Sequence, residues 1–327
     1  SESGNFVVTV GFSEGVYKNN DQTGNLDEGS FDVSIEGGSA QLSDYTVTQT
    51  AGEATAVINI ELASVSNGKE IILVQPSSDV SIYNASGDAM SSNEALISNL
   101  VSTVTITDDG SGTGTTTWTS DNIYILNGFV FVNDGQTLTI EHGTVIKGKS
   151  GQGENASALI VAMGGKIMAE GTADKPIIFT AEADDLQGSV PDLDNGLWGG
   201  VIILGKAKLN TSTVPQQIEG LPTTEPRGAY GGTNDDDNSG VFKYVSLRHG
   251  GTDIGEGNEI NGLTLGGVGR NTVIEYVEVF ANKDDGVEFF GGVPRLNHIV
   301  VAFCGDDSYD YDQGYSGYGQ FWLAVQG

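Results

Sequence analysis

Residues 279–310 read VFANKDDGVEFFGGVPRLNHIVVAFCGDDSYD and carry one acidic pattern twice. The repeated carboxylates form three pairs, each separated by 22 positions: Asp284 and Asp306, Asp285 and Asp307, Glu288 and Asp310. A fixed period of about 20 to 50 residues is typical of a solenoid, in which equivalent residues of adjacent parallel strands lie about 4.8 Å apart. Like charges at that distance repel each other. The repeat therefore predicts stacked coils and a bound cation that neutralises the stacked carboxylates.

Four similar turns predict the register of these coils: Asn195-Gly196-Leu197, Asn261-Gly262-Leu263, Asp285-Gly286-Val287 and Asp307-Ser308-Tyr309. Side chains alternate between the two faces of a strand, so one residue of each turn points inward and the next outward. The expected inward stack is Leu197, Leu263, Val287 and Tyr309, and the expected outward column is Trp198, Thr264, Glu288 and Asp310.

Composition narrows the possible partners. The 327 residues include 44 Asp and Glu against 14 Lys and Arg, a formal charge of −30. This charge argues against nucleic acid and anionic membrane surfaces and favours divalent cations or neutral glycans. The single cysteine, Cys304, cannot form an intrachain disulfide and is expected to be buried. No apolar run approaches the length of about 20 residues that spans a bilayer, so we expect no transmembrane segment.

Residues 1–109 contain short alternating strands separated by Gly, Asn and Asp turns, a pattern typical of an antiparallel β-sandwich. The motifs LDEGSF (26–31), SDYTV (43–47) and VTITDD (104–109) resemble those of Calx-β domains. That resemblance implies a second, weaker calcium site at Glu28, Asp108 and Asp109; the alternative is a structural domain with a solvated acidic end. Residues 110–117, GSGTGTTT, have the composition of a flexible linker.

Residues 118–327 change to short apolar strands that follow one another too quickly for intervening helices. The stretch GGKIMAEGTADKPIIFTAE (164–182) resembles a signature of right-handed parallel β-helix proteins at the surface of, or secreted by, Gram-negative bacteria. The stretches LTIEHGTVIKG (138–148), LWGGVIILGKAKL (197–209) and DDGVEFFGG (284–292) add to the resemblance. It implies an all-β chain in an extracellular or outward-facing outer-membrane location, held there by a tether or a partner.

Two long connections interrupt the strand pattern, at 210–240 and 249–259. Long loops in a compact domain are commonly functional, and we expect both to emerge beside the acidic residues as the rim of a groove. The last strand pattern, 319–325, has no polar cap. A solenoid end needs a cap, so we expect the β-helix to continue or to be capped beyond Gly327.

The six repeated carboxylates have two interpretations. Calcium takes six to eight oxygen ligands in flexible geometry, and stacked turns supply carboxylates and carbonyl groups together. Alternatively, aspartate is frequent in turns because its side chain bonds nearby backbone amides. The joint repetition of three positions favours calcium.

An enzyme is the leading functional alternative. Parallel β-helices include polysaccharide lyases, and this resemblance implies a calcium-dependent proton abstraction with Lys283, Arg248 and His249 as candidate base and charge stabilisers. Asp306-Asp307 is similar to the aspartate pair of β-helical polygalacturonases. The other motifs of those hydrolases, Gly-His-Gly and Arg-Ile-Lys, are absent. The simpler alternative is that neither residue is catalytic: Lys283 offsets its acidic neighbours, and Arg248 is a surface residue of a strand.

Aromatic residues indicate a binding role instead. Trp198, Tyr315 and Tyr318 are candidate platforms for sugar rings. We therefore expect a calcium-stabilised binding or adhesion module, or an accessory subunit of a surface assembly, that contacts glycan or protein. A lyase or glycoside hydrolase is the alternative, and a structural spacer of a longer secreted protein is the second alternative.

Overall fold

The computed structural model describes residues 5–37, 40–64, 70–92, 95–99, 101–186, 188–255 and 258–327. The chain divides into two compact units, Ser1–Ser102 and Thr103–Gly327. Within the described ranges, the only helices are three single 3-10 turns, Glu28–Ser30, Gly153–Asn155 and Pro226–Gly228. None of the helices described is long and apolar enough to cross a membrane.

The first unit is built from two antiparallel sheets of three strands. One contains Asn5–Gly11, Leu42–Thr48 and Thr55–Leu62; the other contains Phe31–Glu36, Ile71–Pro76 and Leu96–Asn99. A short pair, Val16–Tyr17 with Tyr83–Asn84, completes it. Alternate residues of each sheet, such as Ile58 and Ile72, meet in one core. This arrangement confirms the predicted sandwich, while the Calx-β resemblance stays a prediction.

The second unit is a parallel β-helix, as predicted. One wall, here called the ladder sheet, has six parallel strands: Phe129–Val132, Ala158–Val161, Val201–Leu204, Leu263–Gly266, Val287–Phe290 and Tyr309–Asp312. The remaining walls form a large sheet: Ser102–Ile106, Thr116–Trp118, Asn122–Leu126, Thr137–Ile140, Val145–Gly148, Lys166–Glu170, Ile177–Ala181, Gly240–Arg248, Val273–Phe280, Arg295–Ala302 and Tyr318–Val325. Branched and aromatic side chains of both sheets fill the interior.

The last four strands of the large sheet each bend at their middle. The residues at the bend have left-handed φ angles of 48° to 59°: Tyr244, Tyr276, His298 and Phe321. Their rings stack in sequence with centroids 4.4 to 4.7 Å apart. Left-handed backbone is unfavourable for bulky residues, and stacking of aromatic rings contributes to offsetting that cost. The bend divides each long strand into two walls, so the coil is three-sided.

The unit boundary lies earlier than the sequence analysis expected. The strand Ser102–Ile106 lies within residues 1–109, for which a sandwich is predicted, but it belongs to the large sheet beside Asn122–Leu126. The expected linker is also part of the β-helix unit: Thr113 donates its backbone N–H to the Phe131 carbonyl at 2.8 Å, and Thr116–Trp118 pairs with Thr137–Ile140. Asp108 therefore belongs to the second unit and Glu28 to the first.

The predicted register is correct for three coils and wrong for the fourth. Leu263, Val287 and Tyr309 are paired and packed inward as expected. The residue that pairs with Leu263 is Val201, however, and not Leu197. Gly196 and Leu197 lie in the preceding turn, where Gly196 donates to the Gly250 carbonyl at 2.7 Å. That turn is longer than the others, so an alignment on the Asn-Gly motif is displaced by four positions.

Candidate metal centre

The outward column of the ladder sheet changes from apolar to acidic along the helix axis. Its residues, in register, are Phe131, Ile160, Ile202, Thr264, Glu288 and Asp310. The predicted members Thr264, Glu288 and Asp310 are in this column, whereas Ile202 takes the place predicted for Trp198. The apolar part of the column is buried under the 210–240 insertion. After Thr264 the column ends with two carboxylates.

Five carboxylates converge at this end of the column and are here called the carboxylate cluster. They form two groups, Asp284 with Asp285 and Asp306, and Asp285 with Glu288 and Asp310. Within each group, one oxygen atom of every residue lies within 4.8 Å of the others. Asp285 belongs to both groups. Some carboxylates of the cluster therefore come from the turns that precede the strands, and the others come from the outward face of the strands themselves.

Asp307, the sixth predicted ligand, has a different role. Its backbone N–H donates to Oδ1 of Asp285 at 2.8 Å, and its carboxylate is in neither group among the described residues. The structure thus combines both interpretations of the repeat: one aspartate oxygen bonds the backbone of the next coil, and the remaining carboxylates gather beside it.

Burial changes the ionisation of the two central carboxylates. Asp285 is 9% exposed and Glu288 is 8% exposed. Burial raises the pKa of Asp285 to about 7, with smaller contributions from the charges of Asp284 and Asp310 and an opposing hydrogen bond from Asp307. Burial also raises the pKa of Glu288 to about 9, followed by the charges of Glu219 and Asp285. At neutral pH these groups require protons or a cation.

Two buried amide side chains adjoin the cluster. Asn261 is 2% exposed, and its Nδ2 donates to Oε2 of Glu288. Asn282 is 1% exposed, and its Nδ2 donates to the Asp285 carbonyl at 2.8 Å. The Oδ1 atoms of both are buried without a hydrogen-bond partner in the described structure. A buried polar atom without a partner is costly, and amide and carboxylate oxygens together are the ligands that calcium prefers. These residues fit a hard divalent cation.

The 210–240 insertion emerges beside the cluster, as predicted, and also covers the ladder sheet. Ile218, Leu221 and Tyr230 are buried in one apolar group with Ile202 and Phe290. A short hairpin, Gln216–Gln217 with Ala229–Tyr230, shapes the insertion. Glu219 was not among the predicted site residues, and its charge raises the pKa of Glu288. The only signal for Glu219 in the sequence was its place beside the apolar Ile218 in the 210–240 insertion.

Arg227 fixes the insertion to the start of the β-helix. Its Nη1 pairs with Asp108 at 2.7 Å and its Nη2 with Glu225 at 2.8 Å. Its guanidinium also lies 3.7 Å from the centroid of the Phe131 ring. Because the Asp108 side chain is 1% exposed, this pair is shielded from solvent and strongly restrains the loop.

The weaker calcium site expected at Glu28, Asp108 and Asp109 is not supported. Asp108 is occupied by Arg227 and by the backbone amides of 110, 112 and 131. Asp109 accepts the backbone N–H and the hydroxyl of Ser111. Glu28 accepts the Val47 amide at 3.0 Å. Hydrogen bonds and an ion pair with other residues of the chain therefore account for all three carboxylates.

The three catalytic candidates do not converge on the cluster. Arg248 and His249 line a cavity on the large sheet together with Glu278. Lys283 lies in the turn before the cluster, where its backbone N–H donates to the Gly250 carbonyl at 3.0 Å, and it is not among the residues that line that cavity. Arg248 and His249 therefore line a cavity to which the side chain of Lys283 does not contribute.

Two of the three aromatic candidates do not present a free face. Trp198 is 1% exposed, its ring stacks near Phe179, and its Nε1 donates to the Arg248 carbonyl at 2.7 Å. The prediction of a surface platform at Trp198 was wrong because the residue points into the interior. Tyr315 packs against Phe289 with ring centroids 4.3 Å apart, and burial raises its pKa to about 12. Tyr318 remains 72% exposed.

The single thiol is buried, as expected. Cys304 is 8% exposed, and burial raises the pKa of its thiol to about 11.

Comparison with known proteins gives one family. A family model described as a pectate-lyase-like β-helix domain matches residues 105–327. The chain therefore belongs to the family of pectate-lyase-like β-helix domains. No curated protein and no solved structure matches the chain.

Proposed function

We propose that this chain is an extracellular or cell-surface module in which calcium stabilises the β-helix and the β-helix binds a glycan or a partner protein. One observation carries the calcium proposal. Two sets of three carboxylate residues, each close enough to share an ion, have Asp285 in common. A divalent ion there would be shared by oxygen atoms of two successive coils, and it would fix the coils to each other.

Electrostatics supports this proposal. The carboxylate cluster is partly buried, so its mutual repulsion is screened less than on an open surface. A chain with a formal charge of −30 also concentrates divalent cations around itself. Extracellular calcium modules commonly bind with dissociation constants of about 10⁻⁴ to 10⁻³ M. If the carboxyl groups of the site are protonated, calcium must displace their protons when it binds. This competition is consistent with a weak dissociation constant in that range.

The alternative function is a calcium-dependent polysaccharide lyase or glycoside hydrolase. The family description and the cavity with Arg248, His249 and Glu278 favour it. The fact that Lys283 does not line that cavity argues against it. Incubation with polyuronates and neutral polysaccharides, followed by detection of new reducing ends and of unsaturated products by absorbance, distinguishes turnover from binding. A structural spacer would give neither turnover nor binding.

Thermal unfolding tests the calcium proposal. A ligand that binds only the folded state stabilises it by about 2.7 kcal/mol at one hundred times its dissociation constant. We expect calcium chloride to raise the melting temperature of the chelator-treated chain, and Glu288→Gln to reduce that increase. Magnesium chloride at the same ionic strength is the control for screening. Equal melting curves in chelator and calcium would refute the proposal.

A further inference from the structure

A cavity of about 350 Å³ lies against the outer face of the large sheet. Arg248, Glu278 and Phe280 come from adjacent parallel strands, and Asp184 and Val190 from the connection that follows the strand Ile177–Ala181. None of these residues belongs to the carboxylate cluster. A volume above about 300 Å³ is in the range of pockets that bind small molecules.

The cavity contains a fixed pair of opposite charges. Oε2 of Glu278 accepts the hydroxyl of Ser246 and lies 3.5 Å from Nη2 of Arg248. Nε of Arg248 donates to the same hydroxyl at 2.8 Å. The Arg248 side chain nevertheless remains 34% exposed and that of Glu278 remains 42% exposed. The three side chains hold one another in place. Both charged groups still line the cavity, where the guanidinium can donate further hydrogen bonds and the carboxylate can accept them.

His249 is held in one orientation at the edge of the cavity. Its Nδ1 lies 2.5 Å from the Asp194 carbonyl oxygen. A carbonyl oxygen can only accept, so Nδ1 carries a proton and donates it to this hydrogen bond. The ring is held edge-to-face against Phe280 with centroids 6.1 Å apart, and the backbone of His249 has a left-handed φ of 60°. Ala281 and Phe303, which follow the next two strands, have similar φ angles of 53° and 59°, so this conformation is the regular corner of the coil.

The charge balance of the cavity decides the class of ligand. Arg248 is the only cation among the lining residues, which include the carboxylates of Asp184, Asp192 and Glu278. Lys147 adds one positive charge nearby, where its Nζ donates to the Asp184 carbonyl. The carboxylates still exceed the cations, in a chain of formal charge −30. A uronate would therefore be repelled, whereas a neutral ligand would not.

We propose that this cavity binds one ring of a neutral sugar. Adjacent hydroxyl groups of the ring would accept from Arg248 and donate to Glu278, and its C–H face would pack on Phe280. This inference gives the ligand class and the place for the glycan-binding role proposed above. It rests on that role, but it does not depend on calcium.

Calorimetric titration of the full chain tests the site. The probes are gluco-, manno-, galacto- and xylo-oligosaccharides, with oligogalacturonate as the anionic counterpart. We expect at least one neutral series to bind, and Arg248→Met and Glu278→Gln each to weaken that binding by about tenfold or more. The matched control is Glu275→Gln on the same strand, whose carboxylate pairs with Lys243 at 3.0 Å outside the cavity. That variant should alter affinity by less than about twofold.

The outcomes separate this site from the wider proposal. Neutral-sugar binding that persists in Arg248→Met and Glu278→Gln would overturn the site and leave glycan binding elsewhere. Binding of oligogalacturonate in preference to the neutral series would overturn the ligand class. Absence of binding by every probe, with calcium stabilisation intact, would overturn both the site and the glycan role. The melting temperature of each variant, compared with that of the wild type, reports whether the fold is preserved.

Discussion

The Asp285 carboxylate accepts the backbone N–H of Asp307 at 2.8 Å, so the side chain of one coil is bonded to the backbone of the next. The two residues are also linked by Gly286, whose N–H donates to the Asp307 carbonyl at 2.9 Å. The 22-residue repeat therefore has a structural cause as well as an electrostatic consequence. Asp285 and Asp307 do not simply repel each other; the carboxylates that gather around Asp285 are Asp284 and Asp306 in one group and Glu288 and Asp310 in the other.

The first prediction concerns pH. With a chelator present, the free energy of unfolding should fall as pH rises from about 5 to 9. The folded chain keeps the proton of Glu288 up to its pKa of about 9, whereas the unfolded chain loses it near the ordinary value of 4.5. The folded state thus binds more protons across this interval, and stability decreases with pH. Asp285, with a pKa of about 7, adds a further decrease in stability in the lower part of this pH range.

Urea unfolding across that pH range measures the effect, and Glu288→Gln is the informative variant. It should flatten most of the slope because glutamine does not titrate. Carboxylates with a lowered pKa, such as Asp27 beside Lys18, lose their contribution only below about pH 4 and do not interfere. A wild-type profile that rises with pH would contradict the burial of Glu288 in a protonated form.

The second prediction concerns the buried amide beside the cluster. Asn261→Ala should lower calcium affinity by about tenfold or more, because it removes a buried oxygen and the group that orients Glu288. The matched control is Asn271→Ala, whose exposed Nδ2 donates to the Asp236 carbonyl at 2.7 Å. Equal affinities of the two variants, measured by competition with a calcium dye, would exclude Asn261 from the site.

The third prediction concerns the attachment of the insertion. Arg227→Met should destabilise the chain by about 3 kcal/mol, since it leaves the shielded Asp108 carboxylate without its cation. Arg270→Met removes pairs with Asp236, whose side chain is 72% exposed, and with Asp235, whose side chain is 20% exposed, and should cost less than about 1 kcal/mol. Denaturant unfolding of both variants gives the comparison. Similar losses would mean that Arg227 does not restrain the insertion.

The fourth prediction separates interior from surface aromatic residues. Trp198→Ala should cost about 3 to 5 kcal/mol because it opens a cavity in the β-helix interior. Tyr318→Ala should change stability by less than about 0.5 kcal/mol, since this residue is 72% exposed. If thermal and urea unfolding give equal losses for the two, the described core is incorrect.

The periodic part of the chain was predictable from the sequence. A repeat of equal length places Val287 beside Tyr309 and Glu288 beside Asp310 without further information, and the pairing has this register. The prediction failed where coil lengths differ. Leu197 and Leu263 share an Asn-Gly motif, but the longer turn before Val201 displaces that coil, and Trp198 points inward as a result.

Contacts that connect distant parts of the sequence were not predictable. Glu219 reaches the neighbourhood of Glu288 only because the insertion folds back over the ladder sheet. Asp108 belongs to an acidic motif, yet its partner Arg227 lies 119 residues later in the sequence. Local composition indicates a loop in both cases, and it contains no information about which surface the loop covers.

Calorimetric titration of the metal-free chain with calcium chloride tests the central claim most directly. Wild type should bind calcium and release protons, so the observed heat should vary with the ionisation enthalpy of the buffer. Asp285→Asn, which removes the carboxylate common to both groups, should abolish this binding, while Asp236→Asn, an exposed residue outside both groups, should retain it. Absence of calcium binding in the wild type, or an Asp285→Asn titration identical to it, would contradict the account.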